Sequence, residues 1–125
     1  LVGSEMCIRD SVYNVLYNSD LSVLSSDWEG FPHSAIESLA CGVPVISTDI
    51  ADLRALVIEG ETGYLFPKGD HVALAERLVE FFNLSPDKRR EMSRKSREHA
   101  RKNFGVKGMV SKIEEAYEKV LGKKP

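Results

Sequence analysis

The stretch SSDWEGFPHSAIESLACGVPVISTD, residues 25–49, decides the reading of this 125-residue chain. Its first residues close an alternating run, LSVLSS, which predicts a short strand over 21–26. Next comes FPHSAIESLACG, with proline near its start and glycine at its end, the asymmetry of a helix. VPVIST at 43–48 is rich in β-branched residues and predicts a buried strand. Two carboxylates sit where strand gives way to helix. Glu29 precedes the helix, and Glu37 lies on it.

Outward from this stretch the pattern continues. VYNVLYNSD, from residue 12, reads as the end of a helix. DLRALVIEGETGYLFP predicts a short helix, a turn carrying Gly60 and Gly63, and a small strand at 64–66. DHVALAERLVEFFNL starts with an aspartate cap at Asp70 and places Val72, Leu74, Ala75, Leu78, Val79 and Phe82 on one stripe. SPDKRREMSRKSREHARKNF begins with a serine cap followed by proline at the first helical position. VKGMVSKIEEAYEKVLG is a last amphipathic helix, apolar at positions such as Val106, Met109, Ile113 and Tyr117. Strand alternates with helix, which argues an α/β layer on a parallel sheet. Three strands are fewer than the five or more of a doubly wound domain, so the rest of the sheet is expected upstream.

Composition narrows the function classes. A formal net charge of −2 gives no electrostatic pull toward nucleic acid or membrane. No apolar run reaches the roughly 18 residues that span a bilayer. Two cysteines, Cys7 and Cys41, are too few for a disulfide framework and fit a reducing compartment. Residues 1–11, LVGSEMCIRDS, follow no helix or strand period. They resemble an in-frame translation of a transposase adapter used in DNA library preparation. On that resemblance they are set aside from the fold, Cys7 is not native, and the chain is a piece of a longer protein. The expected organisation is an artefact at 1–11, a partial α/β domain at 12–121 and a tail at 122–125.

The two glutamates then acquire a chemistry. Ligands of a parallel sheet bind outside the carboxyl ends of its strands, and the loops at 25–32 and after 48 open there together. Gly30 leaves room for close backbone approach, and Pro32 pre-sets a helical turn whose free N–H groups favour a phosphate. An ionised carboxylate only accepts hydrogen bonds, so its natural partners are hydroxyls, and a vicinal diol offers two donors at once. Phosphate in the middle with hydroxyl-bearing rings on both sides describes a nucleotide sugar.

These residues resemble a known family. EGFPHSAIE matches the E-x7-E signature of retaining GT-B glycosyltransferases, the family 4 group in particular. LACGVPVIST and GETGYLFPKGD match the segments that follow it, so the resemblance runs from about residue 12 to about 121. It implies a Rossmann-like C-terminal domain, with a last helix that packs back toward an N-terminal domain of the same protein. It implies sugar transfer with retention, no metal and no cofactor beyond the nucleotide-sugar substrate. Glu37 would then bind the ribose hydroxyls, and Glu29 would act on the donor sugar as the catalytic carboxylate. Gly30, Phe31, Pro32 and His33 would lie against the diphosphate and sugar. The cations that stabilise the leaving diphosphate are expected outside this chain, and the acceptor is an unknown saccharide or lipid-linked sugar. A cytoplasmic site of action follows, with the inner membrane face as a possible station. The sequence departs from the family at Ala51, Asp52 and Ala55, where a Gly-Gly pair and a glutamate are frequent, and at His33, where asparagine is frequent.

Plainer readings stand beside this one. Glu29 and Glu37 could be surface charges or part of a carboxylate metal site, though no histidine or third acid lies at ligand spacing. His33 could cap its helix or face solvent. Cys41 reads as a small buried hydrophobe rather than a nucleophile. Between Asp87 and Lys102, eight Lys or Arg face three Asp or Glu. That is a solvated helix face, with contact to anionic lipid or a phosphorylated acceptor as the alternative. On the same fold a nucleotide-sugar epimerase, a phosphorylase or a non-catalytic binding module would also account for the motif.

Overall fold

The computed structural model describes residues 12–122. The adapter-like segment and the last three residues lie outside them. In chain order the elements are α1 (Val12–Tyr17), β1 (Ser22–Leu24), α2 (His33–Ala40), β2 (Val45–Thr48), α3 (Ala51–Arg54), β3 (Gly63–Phe66), α4 (His71–Phe82), α5 (Pro86–Phe104) and α6 (Val106–Val120). The strands form one parallel sheet in the order β1-β2-β3. The expected α/β alternation is therefore present.

β2 lies in the middle and is buried along its whole length, as an apolar central strand covered on both faces must be. Its alternate side chains enter two cores. Val45 packs with Ala35, Leu39, Leu53 and Val57 beneath α2 and α3. Ile46 packs with Tyr64, Phe66, Phe81 and Met92 beneath α4 and α5. Burying one such aliphatic side chain contributes about 1.5–3 kcal/mol.

Helix ends follow their signals. Asp70 accepts a hydrogen bond from the Ala73 N–H, and Ser85 from the Lys88 N–H, as their places before α4 and α5 require. α2 ends at Gly42, whose φ of +76° only glycine adopts without strain. There the Val43 N–H donates to the Ser38 carbonyl and the Gly42 N–H to the Leu39 carbonyl, a Schellman closure.

Several sequence expectations need correction, among them the strand predicted at 43–48, which runs over Val45–Thr48. The predicted strand at 21–26 shortens to Ser22–Leu24, because Ser25 and Ser26 already belong to the loop. Gly63 does not sit in the turn but starts β3, paired with Val45. A Cβ there would lie 1.7 Å from the Val45 carbonyl oxygen, so close strand approach demands glycine. The stripe assigned to α4 is also rotated. Val72, Val79 and Phe82 are exposed, whereas Phe81 is 1% exposed and packs with Leu74 and Leu78 against the sheet. Cys41 is buried and free, as expected.

Candidate functional site

The three strands run parallel, so their C-terminal ends share one edge of the sheet. Three loops leave that edge, at 25–32 after β1, 49–50 after β2 and 67–70 after β3.

Glu29 lies half-buried in the first loop, and its Oε1 accepts a hydrogen bond from Ser26 Oγ at 2.5 Å. Gly30 follows, exposed; a Cβ there would meet nothing within 4 Å. Among the described residues no neighbour requires glycine at this point. Pro32 is buried and stands at the N-cap of α2 rather than inside its first turn.

The expectation of several free N–H groups at this helix start is not met. The His33 N–H donates to the Phe31 carbonyl at 2.8 Å, and the Ala35 N–H donates to the Pro32 carbonyl at 3.1 Å. Proline offers no side-chain acceptor at the N-cap, so the chain turns its own carbonyls onto these donors. In this turn the Ser34 N–H is the donor that no carbonyl among the described residues takes.

Phe31 and His33 pack edge to face, with ring centroids 4.7 Å apart. Together with Glu37 they line an open cavity of about 520 Å³, which Phe104, Met109 and Ile113 line from the other side. Its apolar walls come from the end of α5 and from α6. The structure thus brings Phe31, His33 and Glu37 to one cavity. Glu29 is not among its lining residues and stays on the loop, tied to Ser26.

Three polar residues of this edge were not singled out from the sequence. Lys68 Nζ stands 4.0 Å from Asp27 Oδ1, joining the loops after β3 and β1. Arg54 Nε donates to Asp49 Oδ1 at 2.7 Å. That hydrogen bond, and then the aspartate charge, push the Arg54 guanidinium above its ordinary value. Both pairs are exposed, so solvent screens them and they add little to stability. Ser26, the third, had a local signal in its spacing of three residues from Glu29. Lys68 had a weaker one, its place directly after the strand and Pro67.

Among the described residues no group of three or more His, Cys, Asp or Glu is placed to hold a metal ion. None of their helices is long and apolar enough to cross a membrane. Along α5 the basic residues are partly engaged. Arg90 pairs with Asp87, Arg94 with Glu91 and Glu98, Lys95 with Glu61, and Arg97 donates to the Cys41 carbonyl at 3.3 Å. Local pairing of this kind is what a solvated helix face shows.

The model of the family "Glycosyl transferases group 1" matches residues 5–99. N-acetyl-alpha-D-glucosaminyl L-malate synthase of Bacillus anthracis is 33% identical over 113 residues, which is 90% of this chain and 29% of that protein. Sucrose-phosphate synthase from Thermosynechococcus elongatus matches in structure with a TM-score of 0.77 at 30% identity, over 88% of this chain and 28% of that one. Anabaena Alr3699/HepE, solved in complex with UDP, gives a TM-score of 0.81 at 22% identity, over 89% of this chain and 30% of that one. The chain therefore spans less than a third of the length of each of these proteins. The parallel sheet with its covering helices, shared with these neighbours, fits part of a Rossmann-like domain of GT-B architecture.

Proposed function

We propose a function from one premise: the chain belongs to the group 1 glycosyl transferases. It supplies part of the donor-binding C-terminal domain of a retaining transferase that moves a sugar from a nucleotide donor to a saccharide or lipid-linked acceptor. The observation that carries this reading is the shared edge. Parallel pairing puts the Glu29 loop and the Thr48 end of β2 on the side where α2 begins, four residues after Glu29. A donor laid along that edge meets carboxylates on the loop and on the helix, with the turn between them.

Each residue then has a task set by its chemistry. Glu37 accepts from the ribose hydroxyls, and a vicinal pair of charge-assisted bonds contributes roughly 1.5–3 kcal/mol per bond. Glu29 accepts from hydroxyls of the transferred sugar. The backbone of Gly30 through His33 lies along the diphosphate, where the Ser34 N–H is the donor left for an anion. Phe31 and His33 give the ligand an aromatic wall. Two carboxylates cannot neutralise a departing diphosphate, and Lys68 and Arg54 on this edge already face Asp27 and Asp49. The neutralising cations are assigned to a part of the protein beyond this chain, as is acceptor recognition. No metal and no resident cofactor is assigned, the nucleotide sugar being substrate. The reaction is placed in the cytoplasm.

The test is a kinetic comparison in the full-length enzyme that carries this segment. Glu29→Ala is expected to lower kcat by about a hundredfold. Glu37→Ala is expected to raise the donor KM by roughly ten- to a hundredfold with less change in kcat. Parent-like kinetics in both variants would remove the assignment. Phosphate-dependent turnover would mark a phosphorylase instead, and a sugar altered without transfer an epimerase.

A further inference from the structure

We infer that Ser26 is a positioning residue for Glu29, its hydroxyl holding one carboxylate oxygen so that the other is presented to the hydroxyls of the donor sugar. The inference rests on the role given to Glu29 above. It is carried by geometry. The Ser26 Oγ to Glu29 Oε1 distance is 2.5 Å, at the short end for a hydroxyl donating to a carboxylate. Both residues are half-buried, so water competes less for the bond than at an open surface.

The surrounding loop offers little other restraint. Among the described residues, no backbone N–H from 26 to 31 donates to a carbonyl. The other ties are the His33 N–H to the Phe31 carbonyl at 2.8 Å, at the far end of the loop, and the exposed Lys68–Asp27 pair at 4.0 Å. Glu29 has three rotatable side-chain bonds, and a carboxylate that must meet a sugar hydroxyl in one geometry needs them held. A hydroxyl donates once, and here its proton goes to Glu29. Oε1 keeps one acceptor site and Oε2 both, so the carboxylate is held at one oxygen and still accepts from the ligand, chiefly at Oε2.

The experiment uses the full-length enzyme that carries this segment, with donor-saturation kinetics for Ser26→Ala, Ser26→Thr, Glu29→Ala and the double variant Ser26→Ala/Glu29→Ala. Loss of one charge-assisted bond sets the scale. Ser26→Ala is expected to lower kcat roughly ten- to a hundredfold, with the donor KM within about threefold of the parent. Ser26→Thr, which keeps the hydroxyl, restores most of the rate. In the Glu29→Ala background the serine change adds little. Parent-like kcat in Ser26→Ala alongside a crippled Glu29→Ala overturns the Ser26 role alone. So does a double variant in which the two losses multiply. Parent-like kcat in Glu29→Ala removes the Glu29 reading, and this one with it. Should Ser26→Ala lower the melting temperature, the near-isosteric pair Ser26→Thr and Ser26→Val decides: an active Thr variant beside a slow Val variant supports the role, and equal rates overturn it.

Discussion

Helices α4 and α6 each carry an apolar stripe, and only α4 seats its stripe on the sheet. Leu74, Leu78 and Phe81 of α4 enter the core beside Ile46, Tyr64 and Phe66. A polar arm reinforces the contact. Arg77 donates to the Leu65 carbonyl at 3.0 Å, pairs with Glu59 at 2.6 Å and Glu80 at 2.9 Å, and lies 5.4 Å from the centroid of the Tyr64 ring. On α6, by contrast, Met109, Ile113, Tyr117 and Val120 are 48–83% exposed. The difference teaches what amphipathic periodicity means. It reports that one face of a helix excludes water well, and it does not say what will cover that face. Even α4 leaves Val72, Val79 and Phe82 outside, so a second apolar strip remains on a seated helix.

The largest expected effect attacks the floor on which α4 rests. Gly63→Ala drives a methyl group into the Val45 carbonyl, 1.7 Å from the ideal Cβ position, at the start of the β2–β3 ladder. A loss on the order of 3–5 kcal/mol is expected, read as a lower urea midpoint. A change below about 1 kcal/mol would mean that the two strands can part there cheaply.

Of the same order is the paired test of the α4 rotation. Phe81→Ala should cost about 3–5 kcal/mol and Phe82→Ala less than about 1, both measured by urea unfolding. Equal costs would show that the helix sits on the other stripe. Smallest is the change on α6. In this chain by itself Val120→Asp should alter unfolding free energy by no more than about 0.5 kcal/mol, since Val120 is 83% exposed. A much larger loss would reveal a buried seat for α6 and erase the contrast with α4.

Much of the site was legible because its cues are short-range. The helix carrying Glu37 was readable from Pro32 and Gly42, and Gly42 indeed closes it through the Ser38 and Leu39 carbonyls. What went unread there is equally specific. Pro32 at the N-cap leaves the first-turn donors to backbone carbonyls, a choice between two neighbouring helix positions that spacing does not distinguish. Ser26 stands only three residues from Glu29, yet in an irregular loop no period says whether two such side chains meet. The wall of Phe104, Met109 and Ile113 opposite Glu37 lies some seventy residues away and has no local cue.

By itself, then, the sequence determined the alternation of strand and helix, the caps at Asp70 and Ser85, the burial of β2 and the placing of two glutamates about one helix start. Each of these follows from backbone conformation and side-chain period over a few residues. Only the tertiary structure decided that Gly63 belongs to a strand, that Phe81 rather than Phe82 faces the sheet, and that Glu37 shares a cavity with the last helix while Glu29 does not. Those outcomes depend on how closely separate segments approach, and side-chain volume across a contact, not spacing along the chain, sets that distance.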